Sequence, residues 1–240
     1  MTAQGKTTEE KGVLYVVSTP IGNLEDITLR ALRVLKEADL VAAEDTRKTG
    51  LLLKHFETKN KITSYHDYNK EKKTPFLIDE LKSGKDVAIV SDAGTPGISD
   101  PCYYLVNVAI KEEIKIVPVP GSSALLSALV VSGLPSDRFV FEGFLPQKKS
   151  KKVKRLKELS SEKRTLIFFE SPHRLIQTLN NLIEVFGQRR IVVARELTKK
   201  FEEIIRGTLT DVKSHFEKKK VKGEIVIIVQ GEVKSKELRV

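Results

Sequence analysis

Asp86-Val-Ala-Ile-Val90 runs straight into Ser91-Asp92-Ala93-Gly94-Thr95-Pro96-Gly97-Ile98-Ser99-Asp100-Pro101. The first segment has the branched apolar character of a buried strand. The second is turn chemistry, with two glycines, two prolines and two aspartates. A strand that ends this way places backbone N–H groups and a carboxylate at one sheet edge. In open α/β sheets small ligands bind in the crevice beyond the carboxyl ends of the strands. The stretch therefore reads as a strand and ligand loop of an α/β fold, and the chain builds a similar device three more times.

Working outward, strands are expected at 13–18, 40–43, 61–64, 87–91 and 114–118. Helices are expected between them at 26–38, 47–56, 73–82 and 99–111. Leu29, Leu32, Leu35 and Ala38 recur at helical spacing and give one buried face. The alternation argues for a parallel, doubly wound sheet. Pro118-Val119-Pro120-Gly121 breaks it, and the domain boundary is expected there. Beyond it a helix is expected at 122–132, with strands at 138–141, 165–170, 190–195, 203–207 and 224–230. Helices follow at 151–159, 172–186 and 210–219. The division is then a flexible N-terminus at 1–12, an α/β domain at 13–119, a more antiparallel and more basic α/β domain at 120–233, and a tail at 234–240.

The totals set bounds on function. A chain of 240 residues is one large domain or two small ones. Hydrophobic content of 40% and charged content of 31% describe a globular protein. Cys102 is the single cysteine, which excludes an internal disulfide and fits a reducing cytoplasm. The longest apolar stretch, 124–131, includes Ser127 and is too short to span a bilayer. His55, His66, His173 and His215 show no metal-ligand spacing, so no metal site is expected. The net charge of +10 is uneven. Residues 1–120 hold 17 Lys and Arg against 18 Asp and Glu, whereas residues 121–240 hold 25 against 14. The basic half reads either as a surface for a polyanion, most commonly nucleic acid, or as solubility alone.

Four junctions of the first half follow strands. Ser18-Thr19-Pro20-Ile21-Gly22-Asn23 leads into a helix, with Asp26 as its candidate N-cap. Neither Gly-x-Gly-x-x-Gly nor Gly-x-x-x-x-Gly-Lys-[Ser/Thr] is present there, against a dinucleotide or Walker site. Glu44-Asp45-Thr46-Arg47 is a charged cluster at the rim, or an Asp45 cap. In the opening stretch Gly94 and Gly97 admit close approach of a ligand, and Asp92 can accept from a ribose hydroxyl or an ammonium. Ser122, Ser123 and Ala124 are small residues at a helix start. In the second half Glu170-Ser171-Pro172-His173-Arg174 runs from strand to helix, with Ser171 as cap and Pro172 at the first helical position. Ala194-Arg195-Glu196-Leu197-Thr198-Lys199-Lys200 repeats the arrangement. The run Lys148, Lys149, Lys151, Lys152, Lys154, Arg155 is too unbalanced for self-paired charge, and these residues are the candidate contacts to an RNA phosphate backbone.

In order and spacing these segments resemble the small-subunit ribosomal RNA methyltransferase I family of the tetrapyrrole-methylase superfamily. The strings Ser-Thr-Pro-Ile-Gly-Asn-Leu, Ser-Asp-Ala-Gly-Thr-Pro-Gly-Ile-Ser-Asp-Pro and Glu-Ser-Pro-His-Arg carry the resemblance, which runs from about Gly12 to Gly231. It implies a two-domain class III methylase that binds S-adenosylmethionine in the cleft between a parallel-rich and a mixed sheet, usually as a cytoplasmic homodimer. The implied reaction is 2′-O-methylation of a cytidine ribose in the decoding region of 16S ribosomal RNA, on a small-subunit particle. The implied cofactor contacts are Pro20, Ile21, Asp92, Ala93, Gly94, Thr95, Ile98, Ser122, Ser123 and Ala124. Phe169, Ala194, Gly223, Glu224 and Ile225 complete the set. Cys102 stands where the family is expected to carry glycine.

Transfer from a sulfonium is an in-line displacement, so alignment is most of the task. The ribose hydroxyl is a weak acid, and a base helps. Candidates are Glu170, His173 and Glu196, with Arg47 or Arg195 holding a neighbouring phosphate. A tetrapyrrole or corrinoid methylase of the same fold and a non-catalytic RNA-binding protein are the alternatives.

Overall fold

The computed structural model describes residues 10–233. The expected tail, and most of the expected N-terminal segment, lie outside them. The chain divides into two compact units, Met1–Ser123 and Ala124–Val240. The turn after Val119 stays with the first unit because Ser122 is tied into it. Its hydroxyl donates to the Asp26 carbonyl at 3.2 Å, and its carbonyl accepts from the Thr95 hydroxyl at 3.2 Å.

The first unit holds strands β1 (Val13–Val17), β2 (Leu40–Ala43), β3 (Ile62–Ser64), β4 (Val87–Val90) and β5 (Lys115–Val119). Their order is β3-β2-β4-β1-β5 and every pair is parallel. β2 and β4 are buried at every position, as a sheet covered on both faces requires. Helices α1 (Leu29–Glu37) and α2 (Thr46–His55) cover one face with Val41, Ala43, Ala88 and Val90. Helices α3 (Lys70–Lys82) and α4 (Cys102–Lys111) cover the other with Leu40, Ala42, Val87 and Ile89. Each buried Val, Leu or Ile among them contributes ~1.5–3 kcal/mol. α1 leaves β1 over one face, and α4 leaves β4 over the other. The crevice between the carboxyl ends of β1 and β4 is thus the switch point of the sheet.

The second unit opens with α5 (Ala124–Val130), which lies against β10. Its strands are β6 (Phe139–Phe144), β7 (Thr165–Glu170), β8 (Arg190–Arg195), β9 (Glu203–Thr208) and β10 (Ile225–Val229), in the order β6-β7-β10-β8-β9. β6 and β7 are parallel and the remaining pairs antiparallel. Helices α6 (Lys149–Glu158), α7 (Leu175–Phe186) and α8 (Leu209–Glu217) pack on one face through Leu156, Leu179, Leu182, Val212 and Phe216.

Several element ends differ from the sequence reading, each for a local reason. Asp26 caps no helix. Asn23 opens a short 3-10 turn, Leu24–Asp26, and Thr28 caps α1 by accepting from the Ala31 N–H at 3.0 Å. α4 starts at Cys102 because Ser99 holds φ +74°, which no α-helix admits. α3 begins earlier, at Lys70, where the Asn69 side chain accepts from the His66 N–H at 2.9 Å. α7 begins at Leu175: residues 172–174 form a turn in which the Ser171 carbonyl accepts from the Arg174 N–H, so neither Ser171 nor Pro172 has its expected helical role. β6 runs on to Phe144 through a bulge at Gly143, φ +63°.

Candidate functional site

Parallel strands bring the carboxyl ends of β1, β2, β4 and β5 to one edge of the first sheet. The Thr19 N–H donates to the Gly94 carbonyl at 2.9 Å and the Gly94 N–H to the Thr19 carbonyl at 3.0 Å. This pair ties the loop after β1 to the loop after β4 across the switch point. Ser18 Oγ and Thr95 Oγ1 lie 3.0 Å apart, and Thr95 also bonds Ser122 in the loop after β5. Gly94 holds φ +80°, and a Cβ on it would lie 3.3 Å from Ile21 Cγ2 and 3.6 Å from the Ser122 carbonyl. Glycine therefore both permits this backbone and lets three loops converge. Pro20 and Ile21 are buried, Thr95, Ser122, Ser123 and Ala124 are half-buried, and Ala93 and Ile98 are exposed.

Asp92 sits at the centre of this edge. Its Oδ1 accepts from the Asp45 N–H at 2.9 Å and its Oδ2 from Lys48 Nζ at 2.6 Å. Its own N–H donates to Glu44 Oε2 at 3.2 Å. Burial pushes the Glu44 carboxyl up, the Asp92 N–H opposes this, and the Asp92 and Asp100 charges add to it. Asp45 caps α2 and clasps the exposed Arg47 guanidinium, with Nε at 3.0 Å and Nη2 at 2.7 Å. Asp100 accepts from the Gly97 N–H at 2.9 and 2.8 Å and the Cys102 N–H at 2.9 Å. Burial raises its carboxyl against those bonds. Cys102 fills a buried place beneath α4, and burial pushes its thiol up to about 12. The core thus takes up the cysteine side chain at the position where glycine was expected.

In the second unit the register sets Ile225 opposite both Glu170 and Arg195. The ends of β6, β7 and β8 and the starts of β9 and β10 therefore share one edge. Phe169 meets Phe141 and Phe144 edge-on, at centroid distances of 4.9 and 5.7 Å. Ala194 and Ile225 are buried. Gly223 holds φ +90°, and a Cβ there would overlap the Glu196 carboxyl group. Glu196 Oε1 accepts from the Glu224 N–H at 3.0 Å and from Lys199 Nζ at 2.9 Å. Burial works against this carboxylate, but those two donors hold it below the ordinary range.

Glu170 lies at the end of β7 with its side chain 1% exposed. Oε2 accepts from the Thr178 hydroxyl at 2.5 Å, and Oε1 accepts from the Ser171 N–H at 2.8 Å. Arg174 Nε lies 3.2 Å from Oε1, and Lys152 Nζ lies 3.7 Å from Oε2 while donating to Thr178 Oγ1 at 2.7 Å. Arg174 also donates to the Leu145 carbonyl at 2.6 Å.

Two expectations change. Glu170 is no general base: its oxygens are buried and engaged, so it positions the β7–α7 turn. Lys152 is no phosphate contact. It is 1% exposed, because it shares the inward face of α6 with Leu156 one turn on, and burial lowers its ammonium. Arg155 is also largely spent, on Glu142 at 2.9 and 2.8 Å and Glu158 at 2.9 Å. Lys148, Lys149, Lys151 and Lys154 remain exposed, and so does His173 on the β7–α7 turn. Lys48 and Thr178 escape a reading of the sequence. The only signals are position, Lys48 directly after the Glu44–Arg47 cluster, and helical spacing, Thr178 one turn after Arg174. Among the described residues no group of three or more His, Cys, Asp or Glu could hold a metal ion, and no helix is long and apolar enough to cross a membrane.

Comparison with known proteins follows the same lines. The family profile of tetrapyrrole (corrin/porphyrin) methylases matches residues 13–213. A ribosomal RNA small subunit methyltransferase I of Halalkalibacterium halodurans is 52% identical over 93% of this chain and 77% of its own. The Thermotoga maritima protein of that name is 50% identical over 92% of this chain and 99% of its own. Among solved structures, a cobalt precorrin-4 methyltransferase superposes with a TM-score of 0.68 at 20% identity, covering 91% of this chain and 94% of that one. A uroporphyrin-III C-methyltransferase of Thermus thermophilus, complexed with S-adenosyl homocysteine, has a TM-score of 0.64 at 19% identity, covering 91% and 97%. The structures share the fold, while identity near one half over most of the length goes further: the chain belongs to the ribosomal RNA small subunit methyltransferase I family of tetrapyrrole methylases.

Proposed function

We propose that the chain is an S-adenosylmethionine-dependent methyltransferase of ribosomal RNA. Its acceptor is the ribose 2′-hydroxyl of a cytidine in the decoding region of 16S RNA, on the small subunit, and it works as a cytoplasmic homodimer. The observation that carries the reading is the convergence of three loops at the switch point, where Gly94 leaves room that a Cβ would fill. The cofactor supplies a methyl group on a sulfonium centre. Pro20, Ile21, Asp92 to Thr95, Ile98 and Ser122 to Ala124 hold it in this reading, and Phe169, Ala194 and Gly223 to Ile225 add to the contacts. Family membership and the S-adenosyl homocysteine found in the Thermus relative support this.

The residues fit that ligand. Asp92 offers a half-buried carboxylate held in place by the Asp45 N–H and Lys48. Its remaining lone pairs suit ribose hydroxyls or an ammonium. Fixing two reactants in line contributes ~7–11 kcal/mol. His173 and Glu196 are the remaining candidates to take the hydroxyl proton, a role that contributes about 10²–10⁴-fold. Glu170 positions the β7–α7 turn that carries His173. Arg47 and the exposed lysines of α6 meet phosphates.

Mass spectrometry of 16S RNA from cells with and without the gene tests the reading. The expected result is loss of one cytidine ribose methyl group without it. An unchanged 16S RNA, with methylation of a porphyrinogen by the purified protein, would overturn the RNA assignment.

A further inference from the structure

Two loops at the edge of the second sheet carry lysines outside the α6 run. The β8–β9 connection holds Lys199, Lys200 and Phe201, and the α8–β10 connection holds Lys218, Lys219, Lys220 and Lys222. β9 runs away from this edge, so α8 returns its basic end to it. Arg195 at the end of β8 binds the two loops together. Its Nη2 donates to the Phe201 carbonyl and its Nη1 to the Lys222 carbonyl, both at 3.1 Å. Its Nε donates to Glu203 Oε2 at 3.0 Å. The other Glu203 oxygen pairs with His215 at 2.8 Å and with the Lys219 ammonium. Lys199 is taken by Glu196 and Glu224, each at 2.9 Å.

What this clasp leaves over is informative. Lys200, Lys218, Lys220 and Lys222 are exposed and have no ion pair among the described residues. Among them stands Phe201, 66% exposed, with Lys200 Nζ 5.8 Å from its ring centre. Covering this ring would remove apolar surface from water and is favourable. A ring among unpaired ammonium groups matches single-stranded RNA, whose bases stack on aromatic side chains and whose phosphates take the charge.

We infer that Phe201 with Lys200, Lys218, Lys220 and Lys222 forms a second RNA platform, which takes an unpaired segment of the substrate. It rests on the RNA reading above. The start of α6 follows β6, at the opposite end of the same edge, and strands spaced ~4.8 Å apart set the two basic groups roughly 10–19 Å apart, from β6 to β10 and β9. The substrate strand is therefore gripped on both sides of the Glu170, Ile225 and Arg195 row.

The test is binding of isolated small ribosomal subunits and of polyuridylate across a salt series, with F201A, F201Y, K218A/K220A and a first-unit control, K36A/K111A. K218A/K220A is expected to lower the slope of log affinity against log salt by about 1.4–1.8. F201A is expected to weaken polyuridylate binding by about 5- to 150-fold, with F201Y close to wild type. Unchanged thermal midpoints show that the variants fold. If the wild type binds but K218A/K220A and F201A match it, the platform is overturned and the RNA reading stands. The platform falls in the same way if K36A/K111A lowers the slope equally, or if polyglutamate displaces polyuridylate at equal charge. If the wild type neither binds nor methylates subunits, both readings fall.

Discussion

At the edge of the first sheet the carboxylates mostly accept from backbone N–H groups: Asp92 from Asp45, Asp100 from Gly97 and Cys102, Glu44 from Asp92. At the edge of the second sheet they mainly pair with cations, although Glu170 and Glu196 also accept from the Ser171 and Glu224 N–H groups. Glu170 takes Arg174 and Lys152, Glu196 takes Lys199, and Glu203 takes Arg195, His215 and Lys219. The first arrangement fixes loop shape through the chain itself and leaves the edge open for a ligand that brings its own charge. The second fixes loops through pairs of side chains, and it sets up the basic surface by consuming some cations and leaving others. The two edges should therefore fail differently. The second should fail in stability and with pH, and the first in ligand affinity.

The largest effect is expected at Glu170. E170A leaves Lys152 buried with Thr178 as its hydrogen-bond partner, and removing one member of a buried ion pair costs about 3–5 kcal/mol. Urea unfolding measures this. A loss below about 1 kcal/mol would show that Arg174 and water replace the carboxylate, and the contrast between the edges would weaken. Glu203 comes next. Its folded carboxyl is held at about 2 against an ordinary 4.5, by Lys219, His215 and Arg195 working against burial. Its folded value is depressed, so its stabilisation is complete above pH 4.5 and is lost as pH falls towards 2. The shift sets an upper bound of about 3 kcal/mol, which solvent screening of the exposed Lys219 and His215 partners reduces. E203Q should thus be less stable than wild type near neutrality and converge with it in acid. A gap that persists at pH 2 would assign the loss to packing instead.

The same contrast explains what is legible in the sequence. The strands of the first sheet are short β-branched runs between glycines, prolines and aspartates, and the loop after Val90 shows itself as a loop by its density of turn residues. Backbone conformation there is written locally. Ser99 is the exception: nothing in its type reveals φ +74°, so the pattern alone starts α4 too early. In the second unit the decisive contacts join residues far apart in sequence. Lys152 looks like one more lysine in a basic run. Its burial depends on Thr178 and Glu170, on elements whose packing no local pattern encodes. Glu203 looks like a lone acid opening a strand, yet it joins Arg195, His215 and Lys219 in one cluster.

At the first edge the expected effect is on ligand, and it is smaller in free energy. D92A removes an acceptor whose charged hydrogen bonds contribute ~1.5–3 kcal/mol, or about 10- to 150-fold in S-adenosylmethionine affinity. Isothermal calorimetry with the cofactor alone reads it. The thermal midpoint should move little, because Lys48 is 61% exposed at its side chain and returns to water. Unchanged affinity would remove Asp92 from the cofactor site. A collapse in stability instead would make the first edge resemble the second.

The smallest effect is expected at Cys102, where the two kinds of failure can be separated within a few residues of the ligand loop. Its N–H belongs to the edge, because it donates to Asp100 Oδ1. Its side chain belongs to the core under α4, beside Leu105 and Ala109. C102A keeps the N–H and removes only the sulfur, so it should cost about 1 kcal/mol of stability and leave cofactor affinity unchanged. With its thiol pushed up to about 12 by burial, Cys102 carries almost no thiolate at neutral pH, and a thiol reagent should label the native protein far more slowly than the unfolded one. C102G carries the same change further. It restores the expected family residue, but it frees the backbone at the first position of α4 at a cost of ~1 kcal/mol beyond alanine. If C102A alone lowered cofactor affinity, the side chain rather than the N–H would be shaping the loop. The first edge would then depend on side-chain packing, as the second edge depends on its ion pairs.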